Sequence, residues 1–170
     1  MKAKKIALCG LLTALAIVLS LVERLFPLDA VVPVPGAKLG LANVVTLFAL
    51  TRLTPRDAFV VVLCRVSISS LLMGSVTSFL FSLLGGLLAL AVMWALLHVE
   101  GRFCSLLGVS VAGAAAHNIG QVIAAVVWMQ TGAVVAYLPL LLALSVPLGL
   151  VTGLTCAIVL QHMKKIEFGA

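Results

Sequence analysis

Charge is scarce in this chain. Asp, Glu, Lys and Arg make up 9% of its 170 residues, and the hydrophobic set makes up 64%. A soluble domain is about a quarter charged and about half apolar. That balance excludes an ordinary water-soluble fold and specifies an integral membrane protein. Acid is scarcer still. The five carboxylates, Glu23, Asp29, Asp57, Glu100 and Glu167, are scattered. No pair is spaced for acid–base work, and none is predicted at mid-membrane, where a proton-coupled carrier keeps its relay. His117 is left as the one buried titrating group of that kind. There is no GxxxxGK[ST] loop for ATP and no HExxH, and His98, His117 and His162 lie far apart. Cys9, Cys64, Cys104 and Cys156 form no CxxC pair or ligand cluster and read as small packing residues. Aromatics are 6%, with no aromatic–basic patch on which bases could stack. The expectation is a protein that is not an enzyme and that holds no metal, no cofactor and no nucleic acid.

Long apolar runs are what the chain has in quantity. They predict an all-α integral membrane protein, one domain of six transmembrane helices at about 5–25, 39–53, 55–73, 76–97, 106–129 and 138–162. The N-terminal MKAKKIALCGLLTALAIVLS looks superficially like a secretory signal. Its apolar run is too long for an h-region and it lacks a clear cleavage site, so it is read as helix one. Six helices place both termini on one side. Lys2, Lys4, Lys5, Arg52, Arg56, Arg102, Lys164 and Lys165 then share that side, against Arg24 and Lys38 on the other, with Arg65 inside the membrane. The positive-inside rule makes the termini cytoplasmic in a multi-pass protein of a bacterial cytoplasmic membrane. The segment 26–38, broken by Pro27, Pro33, Pro35 and Gly36, faces out as a loop or lid. Thr54, Pro55 and Asp57 form a helix start: hydroxyl cap, proline in the first turn, then an acid. Pro147 should kink helix six.

Small residues are placed at helical spacing. Gly108, Ala112, Ala116, Gly120 and Ala124 recur every fourth residue in LLGVSVAGAAAHNIGQVIAAVVWM, and Ser145, Gly149, Gly153 and Ala157 do so in helix six. Such stripes let helices approach closely in lipid. Ala3 with Ala7, and Gly10 with Ala14, give helix one a similar face, for packing inside the chain or for docking a partner.

The polar residues inside these runs are the candidate site. Arg65 falls ten residues into helix three, about 15 Å of rise and near mid-membrane. A guanidinium there costs several kcal/mol on most scales, so it needs a carboxylate, carbonyls, water or an anionic ligand. Glu23 is its candidate structural partner should helix one end deeper than predicted. Ser69 lies one turn beyond Arg65. His117, Asn118 and Gln121 form a polar wall on helix five, Asn43 sits in the first turns of helix two, and Lys38 stands at the mouth. Taken singly, Asn118 and Gln121 are explained as well by bonding neighbouring helices, His117 by a satisfied core position, Asn43 by capping helix two, and Lys38 by lipid headgroups. Together they describe an apolar pocket with a few convergent polar groups, built to bind rather than react.

PGAKLGLANVVTLFAL, RVSISSLLMGS and GVSVAGAAAHNIGQ resemble a membrane-protein family labelled both heptaprenyl diphosphate synthase component I and Gx transporter. That family is in turn similar to the substrate-binding S components of energy-coupling factor (ECF) transporters. The resemblance implies an S-component-like bundle with an outward pocket capped by the loop between helices one and two. It also implies docking, partly through helix one, on a shared transmembrane subunit and two ATPases. The two labels conflict. Prenyl chain elongation needs aspartate-rich motifs to hold Mg²⁺ on diphosphate, and Asp29 and Asp57 are the only aspartates here. The reading is therefore a substrate-binding subunit importing a small or amphipathic molecule: an isoprenoid, a quinone precursor or another anion. The alternative is a non-catalytic membrane component of a heptaprenyl diphosphate synthase or a membrane redox assembly.

Overall fold

The computed structural model describes residues 2–25, 38–73, 75–98 and 105–168, apart from the side chains of 2, 24, 73 and 164–168. Within these residues the chain is almost entirely helical. α1 is Lys2–Val22, continued by a 3-10 turn at Glu23–Leu25; α2 is Asn43–Arg52, α3 Pro55–Met73, α4 Val76–His98 and α5 Leu106–Met129. A 3-10 segment, Gly132–Tyr137, leads into α6, Leu138–Phe168, which continues through Pro147. The lid expected at 26–38 lies outside the described residues except for Lys38, as do Asp29, Glu100, Arg102 and Cys104.

Four segments are long and apolar enough to cross a bilayer: Ala3–Val22, Val76–His98, Leu106–Met129 and Gly132–Met163. Large apolar side chains project from their surfaces, with Ile6 71% exposed and Val127 64%, which suits lipid rather than water. α3 matches a span in length but carries Arg56, Asp57 and Arg65. α2 does not match: its 10 residues rise about 15 Å, against about 30 Å of hydrocarbon. It is stable because it is enclosed. It approaches each of the other five helices closely, and Asn43, Val45, Thr46, Leu47, Phe48 and Ala49 are all buried.

The most extensive pairings are α4 with α5 and α5 with α6, and glycine makes both possible. A Cβ on Gly120 would lie 2.6 Å from the Leu84 carbonyl oxygen, and one on Gly149 2.5 Å from Val111 Cα. Ser110 and Thr152 share a hydroxyl–hydroxyl bond of 2.9 Å across the α5–α6 contact. The stripe expected on α5 is correct only in part. Ala116, Gly120 and Ala124 are buried, but Ala112 is half-buried and Gly108 is exposed. The seam turns instead through Gly113, whose added Cβ would overlap the Met93 side chain. A helix turns 3.6 residues per turn, so a four-residue stripe drifts around it and faces one neighbour for only part of its length.

Local signals fix the helix ends. Thr54 N–H donates to Asp57 Oδ2 at 3.0 Å while Asp57 N–H returns to Thr54 Oγ1 at 3.4 Å, a reciprocal cap at the start of α3. Asp57 also pairs with Lys5 Nζ at 2.7 Å, tying α1 to α3. Ser105 caps α5 by accepting from Gly108 N–H at 3.1 Å.

Candidate functional site

The candidate site forms where the chain returns from 26–37 towards α2. Gly40 has φ +84°, a conformation that side chains rarely adopt, and its carbonyl accepts from Asn43 N–H at 2.9 Å. An added Cβ would sit 2.9 Å from Asn43 Nδ2 and 3.1 Å from His117 Cδ2. Gly40→Ala should therefore cost about 1–3 kcal/mol, read as a lower thermal midpoint in detergent.

Four groups hold this returning segment against the bundle. Gln121 clasps the Lys38 backbone from both sides: Oε1 accepts from its N–H at 2.7 Å, and Nε2 donates to its carbonyl at 2.9 Å. Lys38 Nζ donates to Ser82 Oγ at 2.6 Å. The Glu23 carboxylate accepts from Leu41 N–H. Asn118 braces the arrangement, its Oδ1 accepting from Gln121 Nε2 at 3.3 Å and its Nδ2 donating to the Leu141 carbonyl on α6 at 2.7 Å. Gln121 and Asn118 thus spend their amides on holding this segment and α6 together, and neither is a free wall of a pocket.

Beneath the segment is a hollow of about 10 Å³ between Glu23, Arg65, Ser69, Ser82 and His117, with Ser20, Lys38, Gly40 and Val66 completing its lining. That is room for about one water molecule. Arg65 is only 4% exposed there, and its Nε and Nη2 have no hydrogen-bond partner. Its Nη2 lies against the bare Cα of Gly86, where a Cβ would come within 3.0 Å. His117 is packed on Gly85 in the same way, and neither ring nitrogen has a partner of ordinary geometry. Both side-chain polar atoms of Asn43 and the Ser70 hydroxyl are also buried and unpartnered. Ser69 Oγ turns back to the Val66 carbonyl at 3.3 Å.

No carboxylate is predicted at mid-membrane, but Glu23, the candidate partner of Arg65 conditional on where helix one ends, is 5% exposed and lines the same hollow, within Coulombic reach of Arg65 and Lys38. α1 stops at Val22, and the 3-10 turn swings Glu23 inward. Arg65 and Glu23 still form no ion pair within 4 Å, the carboxylate being engaged by the backbone of the returning segment. The structure thus brings together Arg65, His117, Asn43, Lys38, Gln121, Asn118 and Ser69. It places Glu23, the candidate partner of Arg65, at the same hollow and adds Gly40, Ser82 and Gly86. On α1, Ala3, Ala7, Gly10 and Ala14 are all exposed, and a Cβ on Gly10 would meet nothing within 4 Å. No helix of this chain covers that face among the described residues.

A family model described as "Heptaprenyl diphosphate synthase component I" matches residues 12–159. No match was found among curated proteins or among solved structures.

Proposed function

From its membership of the heptaprenyl diphosphate synthase component I family, to which the chain belongs, and from the geometry of its buried site, we propose that the protein is a substrate-binding membrane subunit. It captures a small or amphipathic anion and works with partner subunits similar to those of ECF transporters. The observation that carries this reading is Arg65, with two guanidinium donors unpartnered inside a lipid-facing bundle. A buried charge with unmet donors costs stability, and an anion bound at the site would return that cost as affinity. The hollow is too small for any such molecule as it stands, so binding requires the Lys38–Leu41 segment to lift. In this reading the termini are cytoplasmic, the segment opens outward, and the exposed Ala3, Ala7, Gly10 and Ala14 face of α1 meets the transmembrane partner. In this reading the partner complex provides the ATPase.

Ligand retention tests this. Native mass spectrometry of the purified wild-type protein should show a retained anionic molecule, and Arg65→Ala should lose it while staying folded. His117→Ala, which changes a residue lining the hollow, should also lose it. Unchanged retention in both variants would remove the site.

The family description favours a second reading, a non-catalytic membrane component beside a soluble prenyl-transferring enzyme. Co-purification separates the two. ATPases and a shared membrane subunit support the carrier, and a soluble aspartate-rich synthase without ATPase supports the component.

A further inference from the structure

We infer that the group Arg65 receives is a single carboxylate, and not a phosphate or diphosphate. This rests on the reading above that the hollow is an anion site, and it narrows the ligand's chemistry. The argument begins with which atoms of Arg65 are unpartnered. They are Nε and Nη2, and these two make one side of the guanidinium, where two N–H groups point in parallel. That side matches two oxygens on one atom in a bidentate pair. Arg65 is 4% exposed, so the pair would be shielded from solvent.

The surroundings then limit charge. Glu23 lines the same hollow, buried and held by Leu41 N–H. Lys38 lines it too; with Arg65, Lys38 and Glu23 all ionised the lining carries one net positive charge, which a single negative charge balances and a second would exceed in a poorly solvated place. A carboxylate brings one charge and two acceptor oxygens, which Arg65 satisfies alone. A phosphate monoester brings about 1.5 to 2 charges and a third acceptor oxygen. A diphosphate brings more, and ordinarily arrives with Mg²⁺ held by one or two protein carboxylates. Among the described residues Glu23 is the one carboxylate at the hollow, and it is already committed to the backbone. The side chains of His117 and Asn43, whose polar atoms lack a partner of ordinary geometry, are suited to polar atoms elsewhere on the ligand.

The test uses the full chain in detergent with three probes: octanoate, octyl phosphate, and geranyl diphosphate with Mg²⁺. Binding is measured by thermal shift and native mass spectrometry. Octanoate should bind wild type at least about tenfold more tightly than either phosphate, a gap of about 1.4 kcal/mol. Arg65→Lys keeps the charge but lacks the two-donor side, and should lose octanoate by more than about tenfold. Gly86→Ala, whose added carbon would crowd Nη2 at 3.0 Å and Val62 Cγ1 at 3.2 Å, should weaken octanoate binding while the protein stays folded and monodisperse. Tighter binding of either phosphate, still lost in Arg65→Lys, overturns the carboxylate inference and leaves an anion site. Octanoate bound equally by wild type and Arg65→Lys overturns the two-donor geometry. Failure of all three probes to bind in an Arg65-dependent way overturns both the inference and the anion site.

Discussion

Gly120→Val is expected to abolish the folded bundle. The first atom of the new side chain would lie 2.6 Å from the Leu84 carbonyl oxygen, 2.7 Å from Gly85 Cα and 2.8 Å from Gly85 N. All three are backbone atoms inside α4, so no rotamer change relieves the overlap, and α4 must move away from α5. Overpacking of a well-packed core by small groups costs about 1–3 kcal/mol. Here α4–α5 is one of the two most extensive pairings, and three carbons are added where none fits. Gly120→Ala should fall within that range, and Gly120→Val should exceed it. The readout is the monodisperse fraction on size exclusion together with the thermal midpoint in detergent. Gly10→Ala is the control, because nothing lies within 4 Å of its added carbon. It should leave the midpoint unchanged or slightly raised, given alanine's better helix propensity. An equal loss in both variants would refute the close α4–α5 approach.

Glu23→Ala should produce the second large effect, a loss of about 3–5 kcal/mol. Two costs combine. Leu41 N–H loses its acceptor, and Arg65 loses the one carboxylate within Coulombic reach that the described residues provide. Because the second cost exists only while the guanidinium is present, Arg65→Met should restore much of the stability in a Glu23→Ala background. Alone, Arg65→Met removes unmet buried donors but leaves Glu23 without its Coulombic partner, so it should cost less than Glu23→Ala rather than nothing. A double-mutant cycle on thermal or denaturant unfolding gives the coupling directly. Additive losses would mean that the two charges do not sense each other.

The fold class was legible because apolar runs of this length have one stable form in lipid, the helix. The membrane-spanning character of α1, α4, α5 and α6 follows from hydropathy alone. The role of α2 was less legible, since a short apolar helix reads alike whether it spans, caps or is enclosed. The site divides in the same way. Arg65 and His117 stand out in the sequence because polarity is costly where they lie. The duties of Asn118 and Gln121 do not, because the clasp on Lys38 joins residues 83 apart in the chain and nothing local encodes it. Glu23 was legible only as a conditional partner of Arg65, because its placing depends on where helix one ends, and α1 ends at Val22 with a 3-10 turn at Glu23–Leu25.

The enclosed α2 carries a mechanical consequence. The strap that covers Arg65 runs straight into it, with the Leu41 and Ala42 carbonyls accepting from Val44 and Val45 N–H in its first turn, and α2 touches every other helix. Raising that strap therefore pulls on a spindle that all five neighbours grip. Under the proposed ligand binding, occupancy beside the guanidinium would reach α1 through these direct helix contacts, without any long-range relay of side chains.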